Sequence, residues 1–351
     1  QRTRIMTDLV NSDFSNEFRS VGDMVNVRIP ATLHGRAFID TVTRQEVKEG
    51  KLPVKLDRIA DISVGIESRE LTLDIENFSR QVIEPAIRGL NQKIDNDISA
   101  FIFAQSNKTI EATDDGTLKP IAEVGKYFDN EAAPTFNRYI VFSPDHKYRY
   151  AQAENLSKVA YAGTSETLRD ALLGRIYGND TIMSNNLPYS TADVAGTATE
   201  YKVESVSGDK RVVKLTGVTP TTGTVKKGDG FIYKNVLYRF GADAVAAAGV
   251  IASVALHIAS DDFPTNVVAT DALVIPDNLS LAFHRDAITF VTAPLELPIG
   301  GTNSYVAQGE GFAIRVVMDY DSDTKQNLIS FDVLYGVNGL HEHLAVKLED
   351  K

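Results

Sequence analysis

The most regular hydrophobic pattern in the chain lies between Pro85 and Gln105. Its apolar residues recur at spacings of three and four, which places them on one face of a helix; they are Ala86, Ile87, Leu90, Ile94, Ile98, Phe101 and Ile102. Pro85 suits a first helical turn, because the N–H that proline lacks would have no partner there. The pattern predicts a long amphipathic helix over residues 85–105. The stretch that follows, Asn107–Asn130, is polar and punctuated by Gly and Asp.

Alternating apolar and polar residues predict strands before this helix. Met24–Pro30 alternates and is closed by a proline, and two longer extended runs, Ala37–Lys48 and Leu52–Ile66, lie on either side of Gly50. We expect these two runs to form a long, charged hairpin. Because an isolated hairpin is marginally stable in water, this one should pack on something else, such as a neighbouring chain.

The second half of the chain combines short helices with many strands. Tyr139–Phe142 predicts a buried strand, and Ser143 followed by Pro144 predicts the start of a helix that runs to about Asn155. From Ala198 to about Ser260, short β-like runs alternate with Gly, Asp and Thr turns, which predicts a compact β-rich insertion. The remaining predicted elements are a helix at Ser165–Leu173 and strands at Leu279–Val291, Phe312–Asp319, Leu328–Tyr335 and Leu340–Leu348.

Composition narrows the possible chemistry. The length of 351 residues indicates two or three structural units. Cysteine is absent, which excludes thiolate catalysis, iron–sulfur clusters, Cys-based zinc sites and disulfides. The net charge of −11, from 36 basic and 47 acidic residues, argues against a surface that wraps nucleic acid along its whole extent.

The hydropathy of the chain gives no membrane segment. No apolar run reaches the roughly 18 residues that span a bilayer, and the longest candidate, Ala242–Ala259, contains Asp243 and His257. No signal peptide is recognisable at the start. Because the chain opens on Gln1 and not on Met, we expect that upstream residues are missing or have been removed.

Three short patterns suggest ligand sites, and each fails a requirement of its site. Asp319–Asp323 begins like a calcium loop, but it lies between two strands and lacks the Gly and the Glu that such a loop needs. His341 and His343 would share one face of a strand, but a metal site needs a third ligand. Gly223–Gly228 has the spacing of a phosphate loop, but Asp229 replaces the required Lys. We therefore predict no catalytic, cofactor-binding or metal-binding residues, no cofactor and no enzymatic activity.

Segments along nearly the whole chain resemble the major capsid proteins of tailed bacteriophages. The resemblance is greatest to the podophage coat proteins that carry an inserted β-domain. It rests on the order and spacing of these segments: Met6–Phe18 with Val21–Ala31, Glu84–Ala86, Asn278–Ala287 and Phe331–Val337. Some members of the family form covalent Lys–Asn cross-links between subunits, but no residue here matches that chemistry.

The resemblance implies an α+β protein with the Hong Kong 97-like phage capsid fold. This fold has an N-terminal arm, an extended hairpin loop, a peripheral domain with a long spine helix, and an axial domain. On this chain the implied boundaries are 1–30 for the arm and first strand, 31–74 for the extended loop, 75–135 for the peripheral domain with its spine helix at 85–105, 136–300 for the axial domain with the β-rich insertion at about 198–260, and 301–351 for the closing strands.

The implied function is that of a major capsid protein that self-assembles into the icosahedral head of a tailed phage. Its partners would be its own copies in hexamers and pentamers, together with scaffolding, portal and decoration proteins. The head would enclose double-stranded DNA without sequence-specific binding, and it would assemble in the cytoplasm of the bacterial host. Arg44, Lys48, Glu49, Lys55 and Asp57 would tune the contact of the extended loop with a neighbour.

Two other functions remain open at this point. The same fold could serve as an encapsulin-like nanocompartment shell, which encloses cargo enzymes in place of a genome. Alternatively, the segment from Ala198 to Ser260 could be a β-rich module that binds a host surface or a glycan.

Overall fold

The structure is a computed structural model that describes residues 5–12, 24–29, 50–67, 79–112, 117–153, 156, 173–187, 202–217, 224–234, 236–257, 263–264, 267, 273, 279–298, 303–309, 312–323 and 326–350. Its helices are α1 (Met6–Leu9), α2 (Glu84–Gln105), α3 (Lys119–Asn130) and α4 (Pro144–Ala151). The chain divides into two units. Unit one comprises Gln1–Val10, Gln92–Ala287 and His341–Lys351, and unit two comprises Asn11–Asn91 and Ile288–Leu340.

Among the described residues, strands outnumber helices. In chain order they are β1 (Met24–Ile29), β2 (Gly50–Lys55), β3 (Arg58–Glu67), β4 (Lys108–Ala112), β5 (Arg138–Phe142), β6 (Arg175–Ile176), β7 (Asn179–Met183), β8 (Lys202–Val206), β9 (Val212–Thr216), β10 (Thr224–Val225), β11 (Gly230–Tyr233), β12 (Val236–Arg239), β13 (Ala244–Val245), β14 (Val250–Ala255), β15 (Leu279–His284), β16 (Ile288–Ala293), β17 (Asn303–Gly309), β18 (Phe312–Asp321), β19 (Gln326–Gly339) and β20 (Ala345–Asp350).

The long helix predicted from the hydrophobic stripe is confirmed as α2. It follows one π-helical turn, Ser79–Ile83, and begins one residue before Pro85. The stripe residues Leu90, Ile94, Ile98 and Ile102 are fully buried, as their spacing of four requires. The helix runs on across the division between the units, which falls after Asn91.

A buried carboxylate on α2 holds the first described residues of the chain. Asp95 is fully buried, and its side chain accepts hydrogen bonds from the backbone N–H groups of Ile5, at 2.9 Å, and Thr7, at 3.3 Å. These N–H groups lie at the start of α1, where a helix has no internal acceptors for them. Asp95 therefore acts as the cap of a helix far from it in sequence. The apolar side of that helix is buried as well, at Met6 and Leu9.

Unit one is built on a six-stranded mixed sheet in the order β4-β20-β15-β5-β7-β6. β15 pairs antiparallel with β20 and β5, whereas β4 pairs parallel with β20 and β7 with β5. The strand β20 thus lies inside the sheet, between β4 and β15. The helix α3 buries Ile121, Val124 and Phe128, which recur at spacings of three and four.

The predicted β-rich insertion is confirmed where the structure describes it. It contains the three-stranded sheet β14-β9-β8 and the paired strands β11-β12 and β10-β13. Stacked aromatic rings fill its core: Phe231 lies 4.7 Å from Phe240, and Phe263 lies 4.8 Å from both Tyr233 and Tyr238, measured between ring centroids. Offset rings at such distances stabilise a core beyond the area that they bury.

In unit two the strands β3, β16 and β18 of the main sheet all pair with β19, and β17 pairs with β18. One edge of β19 pairs with β3 over residues 326–335, and the other edge pairs with β18 and then with β16. The inward residues of this sheet, including Phe331, Ile329 and Val316, pack with Ala86 of α2. The separate pair β1-β2 contributes Val25, Val27 and Val54 to a second cluster with Val291.

The run Leu52–Ile66 is not the single hairpin strand that the sequence predicts. It breaks at Leu56 and Asp57, so that β2 pairs with β1 while β3 pairs with β19. The alternation of apolar and polar residues continues across this break. The sequence pattern therefore does not show that β2 and β3 pair with different strands. β3 lies within a sheet of its own unit, and its ten residues are not free to form an arm.

Other elements also differ from the prediction. β4 and α3 occupy the polar stretch after α2, and Leu279–Val291 is divided into β15 and β16 by the 3₁₀ turn Arg285–Ala287. The helix from Ser143 is confirmed as α4, with the Ser143 hydroxyl accepting from the His146 N–H. The predicted elements Ala37–Lys48 and residues 165–172 lie outside the described residues. In the described part of the chain, no helix is long and apolar enough to cross a membrane.

The close approach of β2 to β19 predicts a specific destabilisation. A Cβ atom at Gly336 would lie 2.2 Å from the Lys55 carbonyl oxygen, far inside contact distance. We expect Gly336→Ala to lower the free energy of unfolding by about 1–3 kcal/mol, as overpacking does in other cores. Urea unfolding followed by circular dichroism measures the change. Gly208→Ala is the matched control, because a Cβ there meets nothing within 4 Å; equal effects of the two variants would contradict the assigned contact.

The cap at Asp95 predicts a dependence of stability on pH. Burial raises the pKa of Asp95 from 3.8 to about 6, although three backbone N–H groups act to lower it. The folded chain therefore binds this proton more tightly than the unfolded chain, and the stabilisation is complete below pH 3.8 and lost as pH rises through 6. Over the whole titration the free energy of unfolding falls by about 3 kcal/mol.

The test is a comparison of Asp95→Asn with the unmodified chain between pH 4 and pH 7. The free energy of unfolding of the unmodified chain should fall by about 2 kcal/mol more than that of the variant over this range, as measured by urea unfolding. Asp145→Asn, at an exposed position on α4, serves as the control and should keep the original slope. If the free energy of unfolding changes with pH equally in the unmodified chain and in Asp95→Asn, then titration of Asp95 is ruled out as the cause.

Candidate functional site

The strongest candidate for contact with other molecules is the connection between β1 and β2 in unit two. Ile29, the last residue of β1, pairs with Gly50, the first residue of β2. Residues 30–49 therefore connect two adjacent positions of one antiparallel pair, and they lie outside the described residues. Because hairpin loops usually have about two to five residues, a connection of this length is uncommon.

The two strands that flank this connection are firmly packed within unit two. Val27 and Val54 are fully buried, and the Asn338 side-chain amide donates to the Pro53 carbonyl at 2.9 Å. Lys55 and Asp57, which were predicted to tune a contact with a neighbour, lie 4.0 Å apart with both side chains largely exposed. Such an exposed pair contributes little to stability. Arg44, Lys48 and Glu49 lie outside the described residues.

A polar cluster occupies the outward face of the unit-two sheet, on the side away from α2. Arg315, Asp332 and Asp61 stand opposite one another on the adjacent strands β18, β19 and β3. Arg315 donates to one oxygen of Asp332 through Nε at 2.9 Å and Nη2 at 2.6 Å. Ser330 Oγ lies 3.0 Å from Asp61 and 2.8 Å from Asp332.

The two carboxyl groups of this cluster have pKa values shifted in opposite directions. Burial, and then the hydrogen bond with Asp332, raise the pKa of Asp61. Burial acts in the same direction on Asp332, but hydrogen bonds from Asp61 and Arg315 outweigh it and lower the pKa of that carboxyl. Asp332 is therefore the charged partner of Arg315, and Asp61 is the carboxyl of the pair that takes up a proton first as the pH falls. The exposed side chains of Ile59 and Leu328 lie on the same two strands.

Unit one contains a serine, a histidine and an aspartate whose side chains are joined by hydrogen bonds. His146 Nδ1 lies 2.6 Å from Ser280 Oγ, and His146 Nε2 lies 2.9 Å from Asp350 Oδ1. Arg149 binds both oxygens of Asp350. The arrangement resembles the set used in nucleophilic catalysis, in which the serine oxygen must reach a substrate carbonyl.

The position of Ser280 excludes that role. Ser280 and His146 are fully buried, and Ser280 Oγ already accepts a hydrogen bond from the Ser143 N–H at 3.1 Å. No substrate carbonyl can reach an oxygen so placed. The set instead joins the start of α4 to β15 and β20, which are distant in sequence. Sequence reasoning missed this set because His146 lies 134 residues from Ser280 and 204 residues from Asp350.

Two of the ligand patterns singled out in the sequence lie in or beside turns. Asp319–Asp323 covers the end of β18 and the turn toward β19. The carboxylate of the buried Asp229 accepts the Lys226 N–H at 3.0 Å, so that this loop is closed by a negative charge where a phosphate would need a positive one. Among the described residues, no three His, Asp or Glu side chains are placed to hold a metal ion.

The prediction that His341 and His343 share a strand is wrong. Both residues lie at the 3₁₀ turn Glu342–Leu344, which precedes β20. Their rings meet edge to face, with centroids 5.7 Å apart. Burial, and then the neighbouring His343, lower the pKa of His341.

Comparison with known proteins gives a likeness of structure. No protein-family model and no curated protein matches the sequence. A structure from Mycobacterium phage Che8 superposes with a TM-score of 0.57 at 12% identity, over 98% of this chain and 90% of that one. The capsid structure of the cyanophage P-SCSP1u gives a TM-score of 0.54 at 12% identity, over 99% and 88%.

A third structure, the asymmetric unit of the mature capsid of bacteriophage PhiM1, superposes with a TM-score of 0.50 at 11% identity, over 97% of this chain and 87% of that one. At these identities the likeness concerns the fold, and it extends over almost the full length of both chains. The expected fold class is confirmed. The chain has the α+β, Hong Kong 97-like fold of tailed-phage capsid proteins.

Proposed function

We propose that this chain is the major capsid protein of a tailed bacteriophage and that it self-assembles into an icosahedral head around double-stranded DNA. The observation that carries the proposal is the match of nearly the whole chain to phage capsid structures. If the capsid-like fold were only one domain of a larger enzyme, the capsid structures would match only part of the chain. The nanocompartment and host-binding alternatives have no comparable support.

The geometry of unit two supports assembly as the mechanism. Residues 30–49 connect the paired residues Ile29 and Gly50, and this length of chain exceeds what a hairpin turn requires, which supports a role for it in contacts with a neighbouring subunit. The proposed extended loop is therefore narrower than the expected 31–74, because β2 and β3 belong to the body of unit two. The outward sheet face, with exposed Ile59 and Leu328, supplies further surface for a neighbour.

The remaining assignments follow from the capsid proposal. Residues 1–30 would serve as the arm, α2 as the spine helix, 136–300 as the axial domain with its insertion, and 301–351 as the closing strands. Copies of the chain would form hexamers and pentamers in the host cytoplasm with scaffolding, portal and decoration proteins. The net charge of −11 fits a wall that does not trap packaged DNA, and the burial of Ser280 supports a non-enzymatic role.

Replacing residues 30–49 with Asn-Gly separates folding from assembly. Because Ile29 and Gly50 already pair, a two-residue turn of this type can join them without displacing either strand. We expect a folded protein whose circular dichroism and urea midpoint stay close to those of the unmodified chain. We also expect it to form no closed shells under negative-stain electron microscopy and light scattering. A larger deletion that included Val54 would remove core residues and would not be informative.

The control replaces residues 218–223, between β9 and β10, with six glycine and serine residues. This variant should assemble as the unmodified chain does when each is expressed with its neighbouring genes. Closed shells formed by the Asn-Gly variant would refute the proposed role of residues 30–49 in assembly. A complete absence of shells for the unmodified chain would refute the capsid proposal itself.

A further inference from the structure

A groove of about 740 Å³ lies in unit one between β4 and α3. One wall consists of the strand residues Lys108–Glu111, and the other wall is one face of the helix. The helix residues on this face are Lys119, Pro120, Glu123, Lys126, Tyr127 and Asn130. At one side the Tyr127 hydroxyl donates to the His343 carbonyl at 3.0 Å, which fixes the helix wall near the turn before β20.

The strand wall is the edge of the sheet. Successive side chains of a strand point to opposite faces, so a cavity above one face would contact only alternate residues. This groove is lined by four consecutive residues, 108 to 111, and it must therefore run along the strand edge. β4 is the terminal strand of the six-stranded sheet, and among the described residues no strand pairs with its outer edge. Backbone donors and acceptors are thus presented to the groove.

The charges of the groove favour an acidic ligand. Lys108 projects from the strand wall, and Lys119 and Lys126 lie two turns apart on the helix wall. None of the three forms an ion pair with any described residue, although the chain as a whole carries 47 acidic residues. Glu111 and Glu123 also line the groove. Positive and negative side chains are therefore both present along its walls, and this pattern of charge would set the register in which a bound segment pairs with β4.

We propose that this groove receives an extended, acidic segment from a second copy of the chain, which adds to the edge of β4 as a further strand. Backbone hydrogen bonds along the edge would supply affinity, and carboxylates facing the three lysines would supply specificity. Each copy carries a net charge of −11, so the chain itself provides acidic segments. This choice of partner rests on the proposed function, because a shell places many copies in permanent contact.

The absence of cysteine makes the occupant directly identifiable. Thr109→Cys places a single thiol on the exposed edge of β4, and Asn130→Cys places one at the opposite wall in case the first variant folds poorly. Each thiol is labelled with a benzophenone maleimide. Particles are then assembled from equal amounts of ¹⁴N and ¹⁵N chains, irradiated and analysed by mass spectrometry. We expect cross-linked peptides of mixed isotope content that join the groove to an acidic segment.

A charge-reversed background tests the basis of recognition. Lys119→Glu together with Lys126→Glu should lower the yield of mixed-isotope cross-links at least about fivefold, because two attractive contacts become repulsive. Lys227→Glu makes the same kind of change at an exposed lysine outside the groove and should leave the yield unchanged. Cross-links confined to one chain, cross-links to a different protein, or a yield that ignores the double reversal would overturn the proposal.

The experiment separates this inference from the capsid proposal. If closed shells form and the groove yields no mixed-isotope product, the groove assignment fails and the capsid function stands. If the unmodified chain forms no shells under any condition, the capsid proposal fails. The argument for a second copy as the partner of the groove then fails as well.

Discussion

The pairing of β19 along both of its edges is the constraint on which unit two depends. β3 occupies one edge, and β18 and β16 share the other. Beyond the end of β3, the same edge is met by β2, which approaches so closely at Gly336 that only a residue without a side chain fits. β1 is held in turn by β2. The position of the pair β1-β2, which flanks residues 30–49, is therefore set by one fourteen-residue strand.

Buried polar groups perform a similar task in unit one, where they join segments that are far apart in the sequence. Asp95 on α2 holds the start of α1, and the Ser280–His146–Asp350 set ties β15 and β20 to α4. Asp95, His146 and Ser280 are buried with hydrogen bonds formed, which avoids the cost of an unpaired polar atom. Both arrangements could be mistaken for reactive sites, but their burial identifies them as connections that fix the fold.

The sequence supports prediction where local periodicity determines structure, and it fails where pairing partners are remote. The helix α2 follows from its stripe, and the start of α4 follows from Ser143 and Pro144. The helix α3 was missed although Ile121, Val124 and Phe128 carry a helical spacing, because the charged residues around them obscured it. No local signal shows that Asp61 will stand beside Asp332, since that contact depends on the register between β3 and β19. The whole-chain resemblance predicted the fold class correctly, and it gave no information on these contacts.

The place of β20 inside the unit-one sheet has a consequence for biosynthesis. β4 and β15 flank β20, and β4 leaves the ribosome more than two hundred residues before β20 does. At about 5–20 residues per second, the edge of β4 waits roughly 10–50 seconds for β20, and the edge of β15 waits roughly 3–12 seconds. Until β20 arrives these strand edges are unpaired, and such edges promote aggregation. A nascent or truncated chain thus lacks a closed sheet, and only a chain translated through Asp350 can present a finished surface to other molecules.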